Sequence, residues 1–258
     1  MKYLLFLLYL SAFMAFGQPE IQVTFLDSSR IEVDRIIDVD NFETLYYLQG
    51  NIIYKKNARE TINYSNVQLG ELTTVDVFNP LKINLFYSDF NTVIILDNRL
   101  AEIFKIDFNT ILPYKYVSHV SVGHDNTIWI FNQELQYLEL YDYLNNTSRA
   151  RTLPIQSNVL DLTSNFNFCW LLTEKYLYKY NYFGSLIYKI DNDGFTALDE
   201  DNGDIILKKG NALYYQNKGS EQILKIDTPE LLINQFLLTN ETLYIYQPEI
   251  LTKFQLKK

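Results

Sequence analysis

The 258-residue chain is poor in residues that mark the special protein classes. One cysteine, Cys169, cannot make an intramolecular disulfide, so no disulfide framework staples the chain. Nine glycines and six prolines exclude collagen-like and low-complexity chains. Positive charge is in deficit: 22 Lys+Arg stand against 31 Asp+Glu, a net charge of −9. With no cationic surplus to release counterions, a nucleic-acid or anionic-membrane partner is disfavoured. The Gly-x-Ser-x-Gly nucleophile elbow, the Gly-rich phosphate loop and the sialidase propeller box are all missing. Long runs with helical spacing are missing too.

What is present is a globular composition, 48% hydrophobic and 21% charged. A domain of this size buries roughly 70–75% of its unfolded surface and needs no staple. The chain opens with Met1-Lys2-Tyr3, an apolar stretch from Leu4 to Phe16, and Ala15-Phe16-Gly17 before Gln18. This layout predicts a secretory signal peptide over residues 1–17, cleaved to leave one domain over residues 18–258. The apolar stretch falls short of the ~20 residues that span a bilayer, so no transmembrane anchor is expected after cleavage. No cysteine follows the cleavage site, which disfavours a lipid anchor. The expected location is the periplasm or cell envelope, or outside the cell.

The rest is a repeat. Short segments rich in Ile, Val, Tyr, Phe and Leu alternate with Asn, Asp and Gly, a strand-and-turn pattern. One strand type starts at Leu45, Ile83, Ile128, Cys169, Ile205 and Leu243, a mean spacing near 40 residues. A period near 40 with several strands per unit marks propeller blades. The fifth unit divides into Phe195 to Glu200, Asp204 to Lys208, Ala212 to Gln216 and Gln222 to Ile226. Between its second and third strands, Lys209-Gly210-Asn211 supplies a turn tolerant of positive φ. Outer strands echo one another in Lys105-Ile106-Asp107, Lys189-Ile190-Asp191 and Lys225-Ile226-Asp227. The third unit breaks this echo with Arg149-Ala150-Arg151-Thr152. The sixth unit offers 231–238, 241–247 and 250–256, one strand short, while Ile21 to Leu26 is left over at the start. The expected fold is therefore all-β: a six-bladed β-propeller, closed by the N-terminal strand pairing in the last blade. Closure hides sheet edges that would otherwise aggregate. A β-sandwich or irregular solenoid is the alternative.

Asp125-Asn126-Thr127-Ile128-Trp129-Ile130-Phe131 resembles the Asp-Gly-x-Leu-Trp blade motif of bacterial β-propellers, including sensor and NHL-type propellers. As a short, exported, Tyr- and Asn-rich propeller, the chain is also similar in style to periplasmic accessory proteins of the type IX secretion pathway. Among these is a plug subunit that seals the translocon's periplasmic mouth. That resemblance implies an accessory role in an envelope machine.

Several residues invite chemistry. Asp191, Asp193, Asp199, Glu200, Asp201 and Asp204 form the strongest acidic cluster, and Asp191-x-Asp193-Gly194 suggests a calcium loop. EF-hand spacing fails because Phe195 takes the third ligand position and no Glu follows at the twelfth. The cluster reads as solvated loops on opposite rims. His119 and His124 are five apart, so in a strand they face opposite ways and cannot share a metal. Cys169, within Phe168-Cys169-Trp170-Leu171-Leu172, reads as a buried hydrophobe. The run Tyr176 to Phe183 alternates aromatic and polar residues and reads as an outer strand, packed on one side and wet on the other.

With no nucleophile, metal or cofactor constellation evident, the expectation is a non-catalytic protein-binding or scaffold module, without cofactor, whose partner is an envelope protein. The alternatives are an exported propeller enzyme (a metal-dependent hydrolase or lactonase, or a glycan-active one) and a ligand-sensing module. The aberrant third blade, through Arg149 and Arg151, is the first suspect for partner contact.

Overall fold

The computed structural model describes residues 20–257. The signal peptide expected over residues 1–17 lies outside the described residues. Those described form strands throughout, with two single 3-10 turns, Ser88–Phe90 and Phe108–Thr110. No helix among them is long and apolar enough to cross a membrane.

The strands come in consecutive antiparallel groups. After β1 (Ile21–Arg30), the first group is β2 (Arg35–Val39), β3 (Leu45–Gln49), β4 (Ile52–Lys56) and β5 (Thr61–Tyr64). The second is β6 (Thr74–Asp76), β7 (Ile83–Tyr87), β8 (Thr92–Leu96) and β9 (Glu102–Asp107). The third is β10 (Val117–Val122), β11 (Thr127–Asn132), β12 (Tyr137–Asp142) and β13 (Thr147–Arg151). The fourth is β14 (Val159–Ser164), β15 (Phe168–Thr173), β16 (Tyr176–Asn181) and β17 (Leu186–Asp191). Each is a separate four-stranded sheet. The remaining strands are β18 (Ala197–Asp201), β19 (Asp204–Lys209), β20 (Ala212–Gln216), β21 (Ile223–Asp227), β22 (Gln235–Thr239), β23 (Thr242–Gln247) and β24 (Ile250–Lys257). With β1 they make one eight-stranded sheet, ordered β18-β19-β20-β21-β1-β24-β23-β22.

The expected six separate blades are corrected here to four four-stranded sheets and one double sheet. The physical cause is β1. It pairs antiparallel with β24, from Gln22 opposite Lys257 to Arg30 opposite Ile250. Its other edge adds a short parallel ladder to β21, Ile21 opposite Ile226 and Gln22 opposite Asp227. One strand thus satisfies backbone groups on both sides and fuses two groups of strands.

Burial explains which strands the sequence reveals. All residues of β7, β8 and β11 are buried, because these strands lie between two neighbouring sheets. Each core cluster spans two consecutive groups. Trp129, Phe131 and Leu140 of the third group meet Cys169, Leu171 and Tyr178 of the fourth. Trp170 and Leu172 meet Leu198, Ile205 and Leu207. The last group also reaches the first, as Tyr244, Tyr246 and Leu251 pack with Ile36 and Val39. Burying a Trp of this kind is worth about 3–5 kcal/mol against its truncation to Ala.

The run from Tyr176 to Phe183 is corrected as well. It begins with β16, the third strand of its sheet and not the outer one. Tyr178 and Tyr180 are buried against the third group, and Lys179 is buried on the opposite face. The third group, despite its deviant outer sequence, has four strands in the ordinary order. The fifth and sixth units begin later than expected, at Ala197 and Gln235, because 195–196 and 231–234 form the approach loops.

Candidate functional site

The first strands of the groups lie beside one another in the order β6, β10, β14, β18, β22, β2. A first strand has a ladder partner on one edge only, so the other edge leaves backbone groups to be satisfied. Side chains do this. Asp76 of β6 accepts hydrogen bonds from Ser121 Oγ at 2.9 Å and from the Val122 amide at 2.7 Å. Ser164 of β14 donates to the Val122 carbonyl. Asp161 of β14 accepts from the Leu198 amide at 2.9 Å, and Asp199 of β18 from the Leu238 amide at 2.6 Å. Gln235 of β22 accepts from the Ile36 amide of β2 at 2.9 Å. Arg35 of β2 donates to the Thr73 carbonyl just ahead of β6 at 3.1 Å. Every neighbouring pair of first strands is therefore clasped by a side chain.

These strands enclose a cavity of about 810 Å³. Bulges aim side chains into it. The register slips by one residue before Asp38, before His119 and before Asp161, on β2, β10 and β14. All three line the cavity, with Asp76, Asp199 and Glu200. Burial dominates their chemistry. Desolvation pushes Asp38 and Asp161 up to about 6, opposed by the amides that bond each carboxylate. Asp199 is raised well above the ordinary range by burial, with Asp38 adding repulsion. Glu200 is pushed up to about 7 by burial; its Oε1 accepts from Asn165 Nδ2 and the Gly203 amide. Its Oε2 is buried with no hydrogen-bond partner. Burial lowers His119, whose Nδ1 shares a hydrogen bond with Ser118 Oγ at 2.9 Å.

The reading of the acidic cluster as solvated loops is corrected for four of its six members, among them Asp201, half-buried on β18 with its carboxylate accepting from the Asn240 amide. Asp191 and Asp193 are exposed, as expected, and Asp193 pairs with Lys209. Asp199 and Glu200 instead lie on β18 and face the cavity. Asp204 is buried at the start of β19, where it accepts from the Tyr215 hydroxyl and the Lys218 amide. Asp199 is drawn inward because a first strand needs acceptors along its free edge, a demand invisible in composition. Among the described residues no three His, Cys, Asp or Glu are placed to hold a metal ion.

A chain of touching aromatic rings starts at the cavity, which Phe78 and Phe166 border, and runs outward over neighbouring turns. Phe78 meets Phe166 edge to face at 5.0 Å; His124 lies against Phe166 and stacks on Tyr182, which contacts Phe183. All five are exposed. The two histidines thus part company: His119 is on the wall and His124 is in the rim turn. Lys179, also on the wall, rests over Phe168 at 4.3 Å and Trp170 at 4.8 Å. Burial lowers its pKa, against the pull of Glu200 and Asp204. Sequence reasoning missed Asp38, Asp76, Asp161 and Lys179. A signal existed: Asp38 and Asp76 are 38 apart, as are Asp161 and Asp199, in phase with the repeat.

Arg149 and Arg151 lie away from the cavity, on β13. Arg149 makes two bonds to Asp142 Oδ2, at 2.9 and 2.6 Å. Arg151 Nε lies 3.4 Å from Glu139 Oε2 and its Nη2 donates to Ser148 Oγ. Glu139 is fully buried, paired with Lys115 at 2.6 Å and hydrogen-bonded by Ser148. The arginines therefore neutralise buried carboxylates of their own sheet, with side chains still 45% and 48% exposed. Cys169 is buried, and burial raises its thiol well above the ordinary value, which keeps it protonated and unreactive.

No protein-family model and no curated protein matches the chain. Solved structures do. Virginiamycin B lyase from Staphylococcus aureus is 12% identical over 92% of this chain and 100% of that one, with a TM-score of 0.63. A chain of the mitotic checkpoint complex is 11% identical over 95% and 99%, at 0.57. The Pan2 WD40 domain of Neurospora crassa is 10% identical over 90% and 94%, at 0.54. An enzyme and a WD40 domain share the architecture, so the likeness speaks for fold alone. Strand order and likeness together make this an all-β chain in a β-propeller arrangement.

Proposed function

We propose that this protein is a non-catalytic binding module of the periplasm or cell envelope, an accessory subunit of an envelope machine. The observation that carries the reading is the mouth of the cavity. Phe78 and Phe166 border it and begin a row of five exposed, touching ring side chains, on loops held by rigid sheets, and aromatic residues are enriched at protein interfaces. The cavity acids support it too. Asp76, Asp161 and Asp199 spend their oxygens on backbone amides of neighbouring strands, a structural use.

The same proposal treats the eight-stranded sheet as two blades joined along β1 and β21. The propeller then has six units, and β1 closes it. Supporting this are the side-chain clasps between every neighbouring pair of first strands, the last running from β22 back to β2. Export rests on the composition of residues 1–17, and a plug-like role in type IX secretion rests on the resemblance of sequence style. Arg149 and Arg151 belong to the proposed contact surface through the exposed halves of their side chains.

The test is a pull-down. The mature chain is tagged after Lys258, the native envelope is solubilised in mild detergent, and stoichiometric partners are identified by mass spectrometry. One abundant envelope partner is expected, lost on Phe166→Ala. A clean monomer would overturn the reading.

A second reading, an exported enzyme, is favoured by His119 on the cavity wall. A turnover screen of lactones and glycans, with and without added divalent metal, tests it. Activity abolished by His119→Ala would establish it.

A further inference from the structure

We propose that the cavity mouth docks an extended polypeptide segment that inserts a lysine or arginine side chain into the acidic throat, with apolar residues on either side lying against the aromatic rim. This deepens the binding-module reading and rests on it.

Charge selects the occupant. The cavity wall and rim carry seven carboxylates against two lysines, Lys179 and Lys218. The charge of Lys179 is already taken up by the faces of Phe168, Trp170 and Tyr188. An anionic segment would be repelled. A purely apolar one would strip water from the carboxylates and return no hydrogen bond. A bare metal ion would find no three-ligand set among the described residues. A basic side chain meets both demands, because its head donates to carboxylates while its methylene stem covers apolar surface.

Two acceptors stand ready at different depths. Both side-chain hydrogen bonds of Asp38 run to Oδ1, which leaves Oδ2 for a ligand. Glu200 is 9% exposed, and its Oε2 is buried without a partner while Oε1 holds two. A buried carboxylate oxygen left unpaired is costly, so a donor that reaches it is rewarded. Above them, Phe78 and Phe166 both border the cavity and are half-exposed, placed to flank the inserted side chain.

The experiment is a fluorescence-anisotropy titration of the full mature chain with four labelled peptides, Gly-Ser-Leu-Tyr-X-Tyr-Leu-Ser-Gly, where X is Lys, Arg, norleucine or Glu. The Lys and Arg peptides should bind at least tenfold tighter than the other two. Asp38→Asn with Glu200→Gln should erase that preference, and Phe166→Ala should weaken all four. Equal affinity for the four peptides, or binding of none, overturns the proposal. Should the double variant fail to fold, Lys218→Gln keeps the question open to test, with the Lys peptide expected to tighten about threefold and no change counting against it. The pull-down separates the two levels. A partner kept by the folded double variant but lost by Phe166→Ala overturns the acidic-throat proposal and leaves the binding module standing. Absence of any partner for the unaltered protein overturns the module itself.

Discussion

Asp161 illustrates the work of a recessed carboxylate in this fold. One oxygen takes the amide of Leu162 and the other the amide of Leu198 on the next first strand. Truncation to Ala leaves both donors unpaired in a recessed site, which costs about 1–3 kcal/mol. Asp161→Ala should therefore lower Tm by several degrees, read by thermal denaturation. The same group sets a pH dependence. Folded Asp38 and Asp161 hold their protons to about 6, and Glu200 to about 7, while the unfolded chain releases them near 4. The folded state binds more protons between those limits. The stability these groups contribute is complete below pH ~4 and is lost as pH rises through 6 to 7. Burial lowers His119, so it acts in the opposite sense, costing stability as pH falls through its unfolded value near 6.5. The urea midpoint should thus rise between pH 7.5 and 5, and rise more steeply in His119→Gln. A flat profile in that variant would contradict the assignment.

At the scale of strands and turns, two glycines separate space from backbone strain. Gly123 opens the turn between β10 and β11, and a Cβ there would run into the backbone and side chain of Thr127. Gly210, between β19 and β20, has φ +57° and nothing near its missing Cβ. Gly123→Ala should disrupt folding of the third sheet, whereas Gly210→Ala should cost only about 1 kcal/mol and Gly210→Asn less. Circular dichroism melts of the three variants would rank them. Elements were legible in the sequence to the degree that they are buried on both faces. Ile128 to Phe131 and Cys169 to Leu172 announce themselves as unbroken apolar runs because sheets cover them on either side. First strands were less legible. They carry acids on the cavity side, and bulges break their alternation at Asp38, His119 and Asp161. Asp199 and Glu200 looked like loop acids for that reason.

Across the whole molecule, the period near 40 exposed the architecture, and the leftover strand Ile21 to Leu26 lies within β1, which pairs with β24. Its second partner, β21, was not legible, because two parallel residue pairs leave no periodic trace. The cavity site was scarcely legible, since it is assembled from six strands far apart in sequence. Arg149 and Arg151 were visible only as a break in a repeat; their link to Asp142 and Glu139 needed three dimensions. Arg151→Glu would set a carboxylate beside buried Glu139 and should destabilise the third sheet by more than Arg151→Gln, measured by urea denaturation. Removal of residues 18–30 would bare the edges of β24 and β21, and the truncated chain should sediment as dimers and larger species.

The double pairing of β1 also dictates when the molecule can finish folding. Ile21–Arg30 is synthesised well before its antiparallel partner, Ile250–Lys257. Until that partner emerges Phe25 and Leu26 have no antiparallel ladder to join, and the β1–β24 contact spans most of the described residues. Such non-local pairing slows the closing step relative to hairpin formation within each group. An unpaired, partly apolar β1 is thus the segment that a holding chaperone would meet until β24 is made.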